Sequence, residues 1–374
     1  MPRALRLSWR VVPTGLLPNE SQMTDFLRRL LDTPGPSGFE AAVARVWREE
    51  AERVADRVEA DVTGNSIAYV NEGGSPRVML AGHIDEIGVQ ITHIDEQGFL
   101  YIEGIGGWDS QVLIGQRIRV LTRSEEVLGV IGKKPVHLIK GEEKEKATKI
   151  TDLWLDIGAK DRAAVAARGV RVGDPGVIDA RLVELGEGLI ASRSIDNRIG
   201  AFVVLEALRL LAGNRPAAQV AAVATTQEEI GYHGGGARAS AHRVDPQVAI
   251  VVDVTFATDS PGMEKKELGE HRIGGGPVLS RGSAVHPVVF ERLVIAAERE
   301  NIPYTIAASP RFTSTDADAI YLSRNGVATG LVSVPNRYMH SPNEIVSVDD
   351  LHRAARLIAA FVGDLDADTD FVPS

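Results

Sequence analysis

There is no cysteine in the 374 residues of this chain. That absence excludes disulfides, thiolate zinc sites and a cysteine nucleophile together, so any metal must rest on imidazole and carboxylate. Long apolar runs are missing too, and no stretch reads as a membrane span. Aromatic residues make up only 5% of the chain, no basic tract interleaved with aromatics appears, and the formal net charge is −10. Together these disfavour a nucleic-acid partner. Ser192, Ser194 and Ser283 lack the G-x-S-x-G elbow of a serine hydrolase. The two GGG runs, Gly234 to Gly236 and Gly274 to Gly276, lack the spacing of a phosphate or dinucleotide loop and read as tight backbone. With 44% hydrophobic residues, a chain of this length can bury a large core and is long enough for two domains.

The first 22 residues carry Arg3, Arg6 and Arg10 before a short apolar patch broken by Pro13 and Gly15. The patch is too short for a secretory signal, so residues 1–22 read as a disordered extension, with Met23 as an alternative start and the cytoplasm as the compartment. A helix is expected over Met23 to Leu31. Ser37 and Glu40 have capping-box spacing ahead of apolar positions at helical period. Strands are expected at Ser66 to Val70 and Arg77 to Ala81. From Gly88 to Gly176 short strand-like runs follow one another (VQITHID, FLYIEG, QRIRVLT, VLGVIG, PVHLI, DLWLDIGA), and the charged stretch Lys140 to Lys149 reads as a surface loop. After Val177 strands and helices alternate again, with apolar strands of the parallel or mixed kind. The fold class is therefore α/β: a catalytic domain over residues 23–87 and 177–374, interrupted by a β-rich insertion over 88–176.

Five stretches end an apolar run in a carboxylate or histidine: MLAGHIDEIG, SIDNR, TTQEEIG, VVDV and RYMHSPNE. They supply His83, Asp196, Glu228, Glu229, Asp253 and His340, the oxygen and nitrogen donor set of a two-zinc or two-cobalt hydrolytic centre. His83, Glu228 with Glu229, and Asp253 fall at strand ends, where open α/β sheets bind ligands. An isolated Asp after a strand is more often a cap, but five coincidences weaken that reading. His83 and Asp85 stand two apart, so on an extended chain they face the same way and the carboxylate can take the ring N–H that a metal leaves free. Adjacent Glu228 and Glu229 diverge, which suits one to ligation and the other to proton transfer. His93, His233, His242, His271, His286 and His352 lie outside these motifs and read as surface or internally satisfied side chains; His137 lies within the insertion and reads as structural.

In this order the motifs resemble the tetrahedral, or glutamyl, aminopeptidase family of dinuclear metallopeptidases, over about Met23 to Val362. The resemblance implies an α/β/α zinc-peptidase domain with an inserted β-rich (PDZ-like or barrel-like) dimerisation domain, and dimers assembling into a hollow tetrahedral dodecamer. It implies two divalent ions per subunit, His83 and Asp253 on one, Glu229 and His340 on the other, and Asp196 bridging. It makes Glu228 the general base and Asp85 the residue behind His83, and implies a cis peptide bond between Asp196 and Asn197. The implied substrate is a short peptide with a free N-terminus. The chain departs from the family where Thr313, Ser314, Thr315, Asp316 and Ala317 stand for Gly-Gly-Thr-Asp-Ala, and in its leader. The alternatives are a two-metal deacylase or other amidohydrolase, a carbohydrate-active enzyme working through paired carboxylates, and a non-catalytic assembly subunit.

Overall fold

A computed structural model of the chain describes residues 20–141, 146–231, 235–282 and 284–373. Most of the expected leader, His233, Ser283 and the middle of the Lys140 to Lys149 loop lie outside the described residues. The first helix, Glu20–Asp32, begins inside the stretch expected to be disordered.

The α/β part rests on an eight-stranded sheet. Its order is Arg57–Ala60, Ser66–Val70, Gln219–Thr225, Arg77–His83, Val248–Phe256, Ala328–Asn336, Val278–Arg281 and Thr305–Ala308. The four strands from Gln219–Thr225 to Ala328–Asn336 are mutually parallel. They are buried almost throughout, which is why they read as unbroken apolar runs rather than alternating ones. The layering is α/β/α. Helix Ile195–Gly213 packs along the central strands, flanked by Glu20–Asp32 and Val348–Gly363, while Gly235–Val244 and the short helix Ala317–Ile320 pack on each other and on the sheet. Helix and sheet approach so closely at Gly82 that an added Cβ would stand 2.4 Å from the Gly200 carbonyl carbon. Because the parallel quartet shares one direction, His83, Thr225 and Asn336 end its strands on the same side, and Asp253 lies near the same end of its strand.

The insertion closes into a six-stranded barrel, ordered Gly88–Ile94, Leu100–Ile105, Trp154–Asp156, Glu126–Gly132, Arg117–Leu121 and Pro175–Ile178. Alternate residues, among them Ile91, Ile102, Ile118, Val120, Val127 and Leu155, fill a core separate from that of the sheet. Its last strand runs two residues past Gly176.

Two expectations fail. Ser37 and Glu40 form no capping box: helix Ala41–Ala51 has no side-chain cap, the Ser37 hydroxyl donates to Asp85 at 2.6 Å, and Glu40 accepts from the Gly38 and Gln227 N–H groups instead. PVHLI is not a strand but the 3-10 turn Val136–Leu138, with Val136 and Leu138 exposed. The strands that hold VQITHI and FLYIEG are each paired on both sides in the closed barrel, which turns Ile91, Leu100 and Ile102 inward. Exposed apolar side chains of the barrel include Leu128 and Val130, on Glu126–Gly132, Val136 and Leu138 after it, and also Tyr101 and Val172.

Candidate metal centre

At the shared end of the parallel quartet, chain segments far apart in sequence converge. His83 ends its strand, Asp253 sits three residues short of the end of the next, and Glu228 and Glu229 lie just beyond Thr225. Asp196 opens helix Ile195–Gly213 in a non-helical conformation, and the Asp196–Asn197 peptide bond is cis, as the resemblance implies. His340 follows the strand Ala328–Asn336 and has left-handed backbone, φ 59°.

Two triads result. Donor atoms of His83, Asp196 and Asp253 lie within 4.8 Å of one another, and so do those of Asp196, Glu229 and His340. Asp196 belongs to both through different oxygens: Oδ1 is 3.2 Å from His83 Nε2, and Oδ2 is 3.5 Å from His340 Nε2. Glu229 Oε2 is 3.2 Å from His340 Nε2. Glu228 is not a member of either triad, but its Oε2 lies 3.7 Å from His83 Nε2.

Outer contacts hold these groups in place. Asp85 is fully buried; it accepts from the Ser37 hydroxyl and from the N–H groups of both Glu228 and Glu229, each at 3.2 Å, while its Oδ1 lies 3.3 Å from His83 Nδ1. His340 Nδ1 donates to the Gly107 carbonyl at 2.8 Å, which leaves Nε2 as the lone-pair atom facing Asp196 and Glu229. Glu344 accepts from the backbone N–H of Asp196 and of His340, each at 2.9 Å. Asp316 accepts from the Thr225 hydroxyl at 2.5 Å. Behind the site, Arg193 and Arg198 both pair with Glu86, the latter at 2.7 Å.

Charge in this cluster is badly matched to its burial. Burial, with Asp253, Asp316 and Glu229 nearby, pushes the Glu228 carboxyl up to about 10 against the pull of His83. Burial and the neighbouring carboxylates Asp196 and Asp316 likewise raise Asp253. Burial opposes charge on Asp196, yet His340 and His83 hold it below the usual carboxylate range. Burial disfavours charge on His340, but Asp196 and Glu229 carry it up to about 11. Glu229 Oε1 is buried with no hydrogen-bond donor among the described residues. Carboxylates this crowded call for cations, and the all-oxygen-and-nitrogen donor set fits hard or borderline divalent ions.

The structure brings the sequence-predicted residues together, and sequence reasoning gave no role to Glu344, Asp316 or the Gly107 carbonyl. Glu344 was within reach, since it closes the RYMHSPNE stretch. A main-chain carbonyl from the insertion carries no sequence signal. Of the histidines set aside, His271 is buried with its Nδ1 2.8 Å from the Thr305 hydroxyl oxygen, and His242 lines the cleft beside the triads.

The profile of the M42 glutamyl aminopeptidase family matches residues 64–357. The chain belongs to this family. It is therefore of the aminopeptidase class of hydrolases, in a family of divalent-metal enzymes. Lysyl aminopeptidase of Pyrococcus furiosus is 36% identical over 93% of this chain and 99% of its own length. Among solved structures, the TET aminopeptidase of a marine sediment thaumarchaeon superposes with a TM-score of 0.88 at 33% identity, covering 92% of this chain and 97% of that one. The TET1 peptidase of Pyrococcus horikoshii, which can assemble into a tetrahedron or a large octahedral shell, gives 0.81 at 30% identity, covering 92% and 100%. The M42 assignment spans the barrel as well as the sheet.

Proposed function

We propose that this chain is a dinuclear aminopeptidase that uses two divalent ions, zinc or cobalt, to release N-terminal residues from short unblocked peptides. The observation that carries this reading is the division of one carboxylate: Asp196 offers one oxygen to the His83–Asp253 pair and the other to the Glu229–His340 pair. A single-ion site would need only one triad. Bound there, the ions would supply Lewis acidity toward a water and the scissile carbonyl, and a site for the free α-amine.

The protein's own part falls to Glu228. It stands beside both triads and outside them, and burial makes its carboxylate a strong base once the proton is gone. It takes the proton of the attacking water and returns it to the departing amine. Asp85 keeps this side chain and Glu229 in fixed relation by holding both backbone N–H groups. The triads open on a cleft of about 1440 Å³ whose wall includes Ile230, Phe256, Leu322 and Met339, room for several peptide residues.

We also propose that copies pair through the barrel into dimers, and dimers into a tetrahedral dodecamer that works in the cytoplasm and admits peptides but not folded proteins. Leu128, Val130, Val136 and Leu138 support the pairing, as exposed apolar groups on strand Glu126–Gly132 and the turn that follows it. No helix among the described residues is long and apolar enough to cross a membrane.

The test uses a panel of aminoacyl p-nitroanilides, free and N-acetylated. Hydrolysis of the free series, abolished by a chelator and restored by zinc or cobalt, is expected. Preference for the acetylated series would make the chain a deacylase, and full activity after metal removal would sink the metal reading.

A further inference from the structure

The two triads are supported differently. His83 has Asp85 behind it, a residue of the α/β domain, at 3.3 Å and without an aligned hydrogen bond. His340 has behind it a carbonyl of the barrel, Gly107, in a well-formed bond of 2.8 Å. The loop Gly106–Gly107–Trp108 that brings it follows the barrel strand Leu100–Ile105.

Its fit is close on three sides. Gly106 has left-handed backbone, φ 75°, and an added Cβ would lie 2.6 Å from Ile87 Cγ2 and 3.4 Å from Glu229 Cβ. At Gly107 an added Cβ would meet the His340 ring at 3.4 Å. Trp108 packs on the barrel core, and its indole N–H donates to the Gly88 carbonyl at 2.7 Å, tying the loop to the barrel's first strand. The loop thus holds His340 directly and passes close beside Glu229, the two members peculiar to one triad.

We propose that this barrel loop is the positioning element of the Glu229–His340 metal position. The Gly107 carbonyl holds the proton on His340 Nδ1, so that Nε2 presents its lone pair, and glycine at both positions lets the main chain come close enough to do so. The inserted domain then completes one metal position, while the other is completed within the sheet domain. The inference rests on the two-ion reading above.

The experiment titrates metal-depleted full-length protein with cobalt or zinc by calorimetry, with metal content measured after dialysis. Gly106→Ala, which drives the loop off Ile87, and the milder Trp108→Phe, which removes only the tie to Gly88, are compared with His340→Ala as the marker for this position. Circular dichroism and hydrodynamic size establish that each variant is folded. Expected is a selective weakening of one of the two binding steps, by about tenfold or more, the same step that His340→Ala removes, with the other step at its unaltered affinity. If both steps in folded Gly106→Ala and Trp108→Phe match the unaltered chain, or both weaken equally, the loop has no such role. Uptake of a single ion by the unaltered chain would overturn the two-ion reading, and this proposal with it.

Discussion

Glu228 and Glu229 are neighbours in the chain, and Asp85 holds the N–H of each, so their side chains leave the same anchored turn in different directions. On the proposed reading one moves protons and the other binds an ion, and substitution should separate the two roles. Glu228→Gln should keep both ions and lose about 10² to 10⁴ in kcat, since the amide can neither take nor return a proton. Asp253→Ala should lose an ion outright; measured metal content falling equally in both would show the roles misassigned. A second expectation follows from the protonation of the ion-free cluster. Glu228 is raised to about 10 and His340 to about 11, so at neutral pH both carry protons in the metal-free chain. Ligation at His340 needs a bare imidazole, and cations beside Glu228 favour its ionised form, so metal uptake should release protons and apparent affinity should rise with pH. For the metal-free fold the sign is one of loss. Glu228, neutral when folded and ionised when unfolded, loses stability as pH rises above its usual value toward 10, and His340 loses its contribution between about 6.5 and 11. Melting of metal-free protein should therefore fall from pH 7 to pH 9, and calorimetry in buffers of differing ionisation heat should count the released protons.

Among the elements, legibility followed burial. Val248–Phe256 and Ala328–Asn336 are continuous apolar runs because both faces are covered, and a sequence pattern reports that directly. Helix Pro287–Arg299 declares itself by Pro at its start and by apolar spacing. The strands missed, Arg57–Ala60, Pro175–Ile178, Val183–Gly186, Leu189–Ser192, Val278–Arg281 and Glu344–Ser347, are each four residues long and take their shape from partners rather than from their own composition. Ser37 misled because a capping-box spacing says nothing of tertiary competitors, and a buried carboxylate nearby accepts its hydroxyl. On the proposed reading the site was legible where a side chain must be a specific ligand, as at His83 or Asp253, and illegible where a main-chain atom acts, as at Gly107. The close seating of helix Ile195–Gly213 on the sheet is itself testable. Gly82→Ala puts a Cβ against the Gly200 backbone, which cannot swing aside, and should destabilise the fold by roughly 1–3 kcal/mol. Urea unfolding would measure it, and an unchanged midpoint would contradict the packing described.

At the scale of the whole molecule, the barrel has two kinds of surface. One is the Gly106–Trp108 loop turned toward the metal centre, and the other is the strip of Leu128, Val130, Val136 and Leu138. If the strip joins copies, Leu128→Glu with Val130→Glu should yield a smaller species by light scattering while metal content stays at the unaltered level, because neither residue touches the triads. An assembly of unchanged size would place the joint elsewhere.

The spatial order of the sheet also bears on how such a protein comes into being on the ribosome. The parallel strands stand side by side in the order Gln219–Thr225, Arg77–His83, Val248–Phe256, Ala328–Asn336, so the strand carrying His83 lies between two made much later. His340 emerges only after the last of them, and Glu344, which holds both His340 and Asp196, later still. A nascent chain therefore exposes His83 and Asp85 long before the groups that surround them exist. On the proposed reading the centre cannot be loaded piecemeal during synthesis, and a truncated product lacking everything from His340 onward would be metal-poor as well as unstable. Activity is in this sense a proofreading mark of a finished chain.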